Sequence, residues 1–136
     1  MTISDVRINP RYALLVSAGL WFFSLLSPAL RTGAKIQLGG EVLALGWLGP
    51  LTGTFAWYGN VFWIVGAVLM AMGRSPHVAV SCLGFVLAAT CLAGVRLTDD
   101  SGTSDATLMF GAYLWLASFL PQIAATLTGQ VKFPRG

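Results

Sequence analysis

The 136-residue chain is 56% hydrophobic and only 10% charged, with eight Lys and Arg against five Asp and Glu for a net charge of +3. Soluble domains carry about 25% charged residues, so this composition excludes a highly charged domain and a disordered polar chain. The sequence pI is near 9.2, but the basic residues are scattered over separate segments. They form no patch or stripe, which excludes an electrostatic footprint for nucleic acid.

Four stretches carry no charge: Tyr12–Leu30, Thr54–Gly73, Val78–Val95 and Leu108–Leu127. Each is close to the ~20 apolar residues that an α-helix needs to cross a bilayer, and the mean hydropathy of +0.75 agrees. The expectation is a single all-α domain over residues 1–136, with four transmembrane helices in one bundle. A long first outer loop would contain a short interfacial helix. Excess Lys and Arg mark the cytoplasmic side. Arg7, Arg11, Arg74, Lys132 and Arg135 outnumber Arg31, Lys35 and Arg96, which predicts a multi-pass protein of the inner (cytoplasmic) membrane with both termini inside.

In chain order, Asn9-Pro10 precedes the first span, which ends near Pro28. The first run is longer than the apolar region of a signal peptide, which argues against cleavage near Ser27-Pro28-Ala29. In the 31–53 connection, Gly39-Gly40 breaks any helix. The apolar run over 41–49 is too short to span and is expected in the interface or folded back over the bundle. The second span opens Phe55-Ala56-Trp57-Tyr58-Gly59-Asn60. With Trp47, the residues Trp57, Tyr58 and Trp63 are expected to form an outer aromatic rim. The third span is rich in small residues, and Gly84/Ala88 and Ala89/Ala93 are small-xxx-small pairs suited to helix packing or a partner interface. It is expected to be the most enclosed helix. Cys82 and Cys91, nine residues apart, fall on opposite faces roughly 13 Å apart along the axis and read as two buried hydrophobes. The polar stretch 96–107 reads as a solvated turn in which Ser104 or Asp105 caps the fourth span. Its Asp99, Ser101, Thr103 and Asp105 lack the length and terminal Glu of a calcium loop. In the fourth span, Pro121 should kink the last turns.

No ionisable residue lies deep in a span. The four-span small multidrug transporters depend on a glutamate in their first span, which is missing here. Asn60 and Gln122 are the strongest polar groups in the apolar runs, as interhelix contacts or as the lining of a polar path. His77, the one histidine, is a candidate haem or pigment ligand and more simply a polar cap. A single histidine leaves no Ser-His-Asp set, and no P-loop, H-E-x-x-H or C-x-x-C occurs, so no catalytic residues, metal or cofactor are expected.

The segments Glu41–Pro50, Gly53–Asn60 and Tyr113–Ser118 resemble short bacterial inner-membrane proteins of an uncharacterised four-span type, a resemblance that implies no activity. The long Trp-bearing first loop is also similar in layout to claudins, whose paired extracellular cysteines are absent. The functional expectation is a non-catalytic protein set in a lipid bilayer that binds a membrane-protein partner, as an accessory subunit or immunity-type protein. An oligomeric channel or carrier, or a pigment protein using His77, are the alternatives.

Overall fold

The computed structural model describes residues 9–52, 54–74, 76–99 and 102–127. Arg7, Lys132, Arg135, Gly53, Asp100 and Ser101 lie outside the described residues. Helix α1 (Pro10–Leu26) begins where the Asn9 side chain accepts from the Arg11 N–H at 3.0 Å, with Pro10 in the first helical position. There the absent proline N–H costs no intrahelical bond. The chain leaves α1 at Ser27-Pro28 and enters a hairpin, β1 (Pro28–Thr32) and β2 (Lys35–Leu38). Gly33, at the first of the two loop positions, has a φ of 58°, a conformation that strains any residue with a Cβ. Helix α2 (Gly39–Leu45) and a 3-10 segment (Gly46–Thr52) follow.

A 3-10 turn (Ala56–Tyr58) leads into α3 (Gly59–Ala71). The end of α3 is a Schellman motif: Arg74 N–H donates to the Leu69 carbonyl at 2.8 Å and Gly73 N–H to that of Met70 at 3.1 Å, with Gly73 at a φ of 73°. Helix α4 (His77–Ala89) returns antiparallel and tightens into a 3-10 turn (Thr90–Ala93). Strands β3 (Val95–Asp99) and β4 (Gly102–Leu108) form the second hairpin. The chain closes with α5 (Phe110–Ala117) and α6 (Phe119–Leu127).

The two hairpins join into one antiparallel sheet of order β2-β1-β4-β3 through the pairs Leu30↔Leu108 and Arg31↔Thr107. The expected all-α four-span bundle is therefore corrected. The connections read as loops are strands, and residues 41–49 continue from the sheet as α2 and a 3-10 segment. No helix among the described residues is long and apolar enough to cross a membrane. The longest, α1, has 17 residues, about 26 Å at 1.5 Å per residue, against a hydrocarbon core of about 30 Å. The second run gives its first turns to a 3-10 segment, and the third gives its end to 3-10 and strand. The fourth gives Leu108 to β4 and is then divided at Ser118. Residue 121 would donate to the Ala117 carbonyl, but it is proline. Pro121 instead takes the third position of α6, where a missing N–H is no loss. The inner-membrane, multi-pass placement with both termini inside falls with the spans. The expected cap at Ser104 or Asp105 is also absent, since both lie in β4 and α5 starts after Met109.

The helices have an unusual polarity. Ser17, Ser24, Asn60, His77, Ser81, Ser118 and Gln122 are buried, while Phe22, Phe23, Val65, Val86, Phe110 and Leu120 point outward and are more than two-fifths exposed. The apolar core clusters around Leu30, Trp63, Ala88, Cys91, Leu116 and Phe119. Helix α4 buries one stripe (His77, Ser81, Gly84, Ala88) and exposes Leu83 and Val86, so it is not the enclosed helix expected. Its seam with α3 is close. A Cβ on Gly84 would lie 2.7 Å from Phe62 Cβ and 2.9 Å from Phe119 Cε1, and one on Gly59 would lie 2.9 Å from Ala88 Cβ.

Gly84→Leu should therefore lower stability by about 1–3 kcal/mol through overpacking. Gly19→Ala, where a new Cβ meets nothing within 4 Å in the middle of α1, should raise it by about 0.5–1 kcal/mol. Thermal unfolding of the two variants beside the parent checks both signs.

Candidate functional site: a cavity under the sheet

Strands β1 and β4 attach to the ends of α1 and α5, and β3 follows α4 through the Thr90–Ala93 turn, so the sheet stands over one end of the helices. Beneath it lies a half-open cavity of about 310 Å³, at the lower end of the ~300–1,000 Å³ of small-molecule pockets. Leu30, Val95 and Leu108 of the sheet form its ceiling, and Val42, Leu45 and Leu48 form one wall. Trp57, Asn60, Cys91, Ala112 and Trp115 form the floor.

The polar atoms of the floor are turned into the protein. The indoles of Trp21 and Trp115 donate to Asn60 Oδ1 at 3.1 and 2.9 Å, and Asn60 Nδ2 donates to the Trp57 carbonyl at 3.1 Å. Trp57 Nε1 donates to the Leu43 carbonyl at 2.7 Å, which pins α2 over the cavity, and Ser24 Oγ donates to the Trp21 carbonyl at 2.5 Å. What the floor presents to the cavity is aromatic and aliphatic surface, while Lys35, Gln37, Glu41 and Arg96 also line the space. Burial pushes the Cys91 thiol up to about 11, so at neutral pH it is a small apolar group rather than a nucleophile.

The sequence-stated candidates divide among several places. Asn60 sits in the cavity floor, whereas Gln122 belongs to a second buried network among the helices. There Ser17 Oγ donates to the Ser118 carbonyl at 2.6 Å and accepts from Trp63 Nε1 at 3.1 Å and Gln122 Nε2 at 3.0 Å. Ser81 Oγ donates to Gln122 Oε1 at 2.8 Å. Both amides are thus engaged between helices. The four rim aromatics do not share a surface. Trp63 is buried and stacked on Trp21 with centroids 5.0 Å apart, and Trp57 faces the cavity. Trp47 and Tyr58 are exposed. Gly84 and Ala88 are buried on the α3 seam, Ala89 is half-buried against the core, and Ala93 is exposed. His77 is fully buried at the start of α4, away from the cavity, with Nδ1 2.6 Å from the Arg74 carbonyl. Since a carbonyl only accepts, Nδ1 carries the proton. Asp105 is on β4, 3.6 Å from Arg96 Nε on an exposed face. Among the described residues no group of three His, Cys, Asp or Glu is placed to hold a metal ion.

Sequence reasoning missed Ser17, Ser81 and Ser118, whose hydroxyls interrupt uncharged runs, and Trp21 and Trp115, whose indoles converge on Asn60. It also missed Thr32 and Gln37, which line the cavity. Comparison with protein-family models, curated proteins and solved structures found no match.

Ser17→Ala removes an acceptor of Gln122 Nε2 and the nearer of the two acceptors of Trp63 Nε1, and should cost about 1–3 kcal/mol. Denaturant unfolding measures this; a loss below 0.5 kcal/mol (roughly the lower bound for one net hydrogen bond) would show that the network does not hold the helices.

Proposed function

We propose that the protein is a non-catalytic binding protein that encloses the apolar portion of a small ligand in the cavity under the sheet. One observation carries this reading: the floor of the cavity spends its indole and amide groups on internal hydrogen bonds, leaving that floor apolar. A burial site for hydrocarbon needs that arrangement, because an unpaired polar group there would penalise it. At about 30 Å³ per water-sized group, 310 Å³ accepts a chain of roughly ten carbons. The non-catalytic part is supported by the placement of the reactive groups. His77 is buried elsewhere, the Cys91 thiol is held protonated, and Asp105 faces outward beside Arg96.

Decan-1-ol should bind with one-to-one saturation and a negative heat-capacity change, the mark of apolar burial, in isothermal titration at several temperatures. Val42→Trp, which fills the cavity from α2, should abolish saturable binding while circular dichroism and thermal unfolding stay close to the parent. Uptake without saturation, or saturation unaltered in Val42→Trp, contradicts the reading.

The outward Phe22, Phe23, Val65, Val86 and Leu120 favour a second reading, in which these helix faces are covered by a protein partner. Large apolar side chains left exposed on helix faces are what a partner would cover. Native mass measurement of the tagged protein isolated from its source should then show a stoichiometric second polypeptide; its absence removes this reading.

A further inference from the structure

Along β1 and β2, residues paired across the strands share a face of the sheet. Leu30 pairs with Gln37 and Thr32 with Lys35, while Arg31 pairs with Ile36 between them. Leu30, Thr32, Lys35 and Gln37 all line the cavity, and Arg31 and Ile36 do not. The edge strand β2 is therefore inverted. It turns Lys35 and Gln37 toward the cavity and leaves Ile36 half-exposed on the other face. An edge strand serving only to roof an apolar core would place Ile36 inward and Lys35 outward.

A further observation concerns the same corner. Lys35 makes no ion pair among the described residues. Two other charges line the cavity: Arg96 lies 3.6 Å from Asp105 on an exposed face, and Glu41 Oε2 accepts from the Leu38 N–H at 3.1 Å. The corner thus offers an ammonium and an amide at the edge of a space with an apolar floor.

Building on the cavity-binding reading above, we infer that the ligand is a single-chain amphiphile with a carboxylate head. Its chain lies over Trp57 and Trp115, and its head accepts hydrogen bonds from Lys35 and Gln37 at the β1–β2 corner. The carboxylate gives the Lys35 ammonium a counter-charge. Binding is non-covalent, and the exposed side of Lys35 makes it sensitive to salt.

The test compares decanoate with decan-1-ol, at pH 8 and low ionic strength, on the whole chain and on Lys35→Met and Lys35→Arg variants. Decanoate should bind the parent about tenfold more tightly than the alcohol, the scale of a hydrogen bond to a charged group. Lys35→Met should erase that advantage and leave the alcohol's affinity unchanged, and Lys35→Arg should retain most of it. Equal affinity for the two ligands in the parent, or an advantage that survives Lys35→Met, overturns the head-group inference while the cavity reading stands. If neither ligand binds, the cavity reading itself fails and takes this inference with it.

Discussion

The structure depends on a seam of buried hydrogen bonds between helices whose apolar residues also cover much of their outer faces. Rotating such a helix exchanges one aliphatic face for another at little hydrophobic cost, so burial of apolar area alone cannot choose which face turns inward. The hydroxyls and amides can choose. Ser17 receives Trp63 and Gln122 and donates to the Ser118 carbonyl, and Ser81 completes the ring through Gln122. Any other rotation would leave several of these groups buried and unpaired, at about 1–3 kcal/mol each. The seam therefore fixes α1, α3, α4 and the α5–α6 pair in one register and sends the large aliphatic side chains outward. Gly59, Gly66 and Gly84 allow the backbones to close over it: a Cβ on Gly66 would fall 2.5 Å from Ser81 Oγ and 2.8 Å from Gln122 Oε1.

Once the helices are fixed, the cavity follows from connectivity. The strands emerge from helix ends that the seam has already placed, and Leu30↔Leu108 joins the two hairpins. The Asn60 node below and the Trp57–Leu43 bond at the side set the floor and wall. Asn60 connects three tryptophans from three helical segments, so the aromatic floor and the bundle are one construction. The inverted β2 then brings Lys35 and Gln37 to the edge of a space with an apolar floor. Hydrocarbon floor and polar corner arise from different parts of the chain, yet they meet along one wall of the same opening.

Much of the local punctuation was legible in the sequence. Asn9-Pro10 marked the start of α1, Pro28 its end, and Gly73 the end of α3, because capping and proline chemistry act within a few residues. Four uncharged runs also correspond to the helical regions. Their length misled. A run of uncharged residues counts 3-10 turns, strand ends and a proline-divided pair as though they were one helix, and only the backbone shows where the α-helix stops. The sheet was hidden for a different reason. Val95–Asp99 alternates apolar and polar residues, but Pro28–Thr32 and Lys35–Leu38 are four or five residues long, and β2 carries its polarity reversed. Leu30 and Leu108 meet across most of the chain, a pairing that no local pattern encodes. Asn60 and Gln122 stood out as polar residues in apolar surroundings, but which groups they would meet depended on Ser17, Ser81, Trp21 and Trp115 arriving from distant segments.

The most direct test is to locate a bound alkyl chain by intermolecular nuclear Overhauser effects between a protonated ten-carbon ligand and the deuterated, selectively methyl- and indole-protonated protein. The account expects methylene contacts to Trp57, Trp115, Val95 and Leu30, which surround the cavity. Contacts confined to Val65, Leu83, Val86 and Leu120, on the outward helix faces, would contradict it and move the binding surface from the cavity to the exterior.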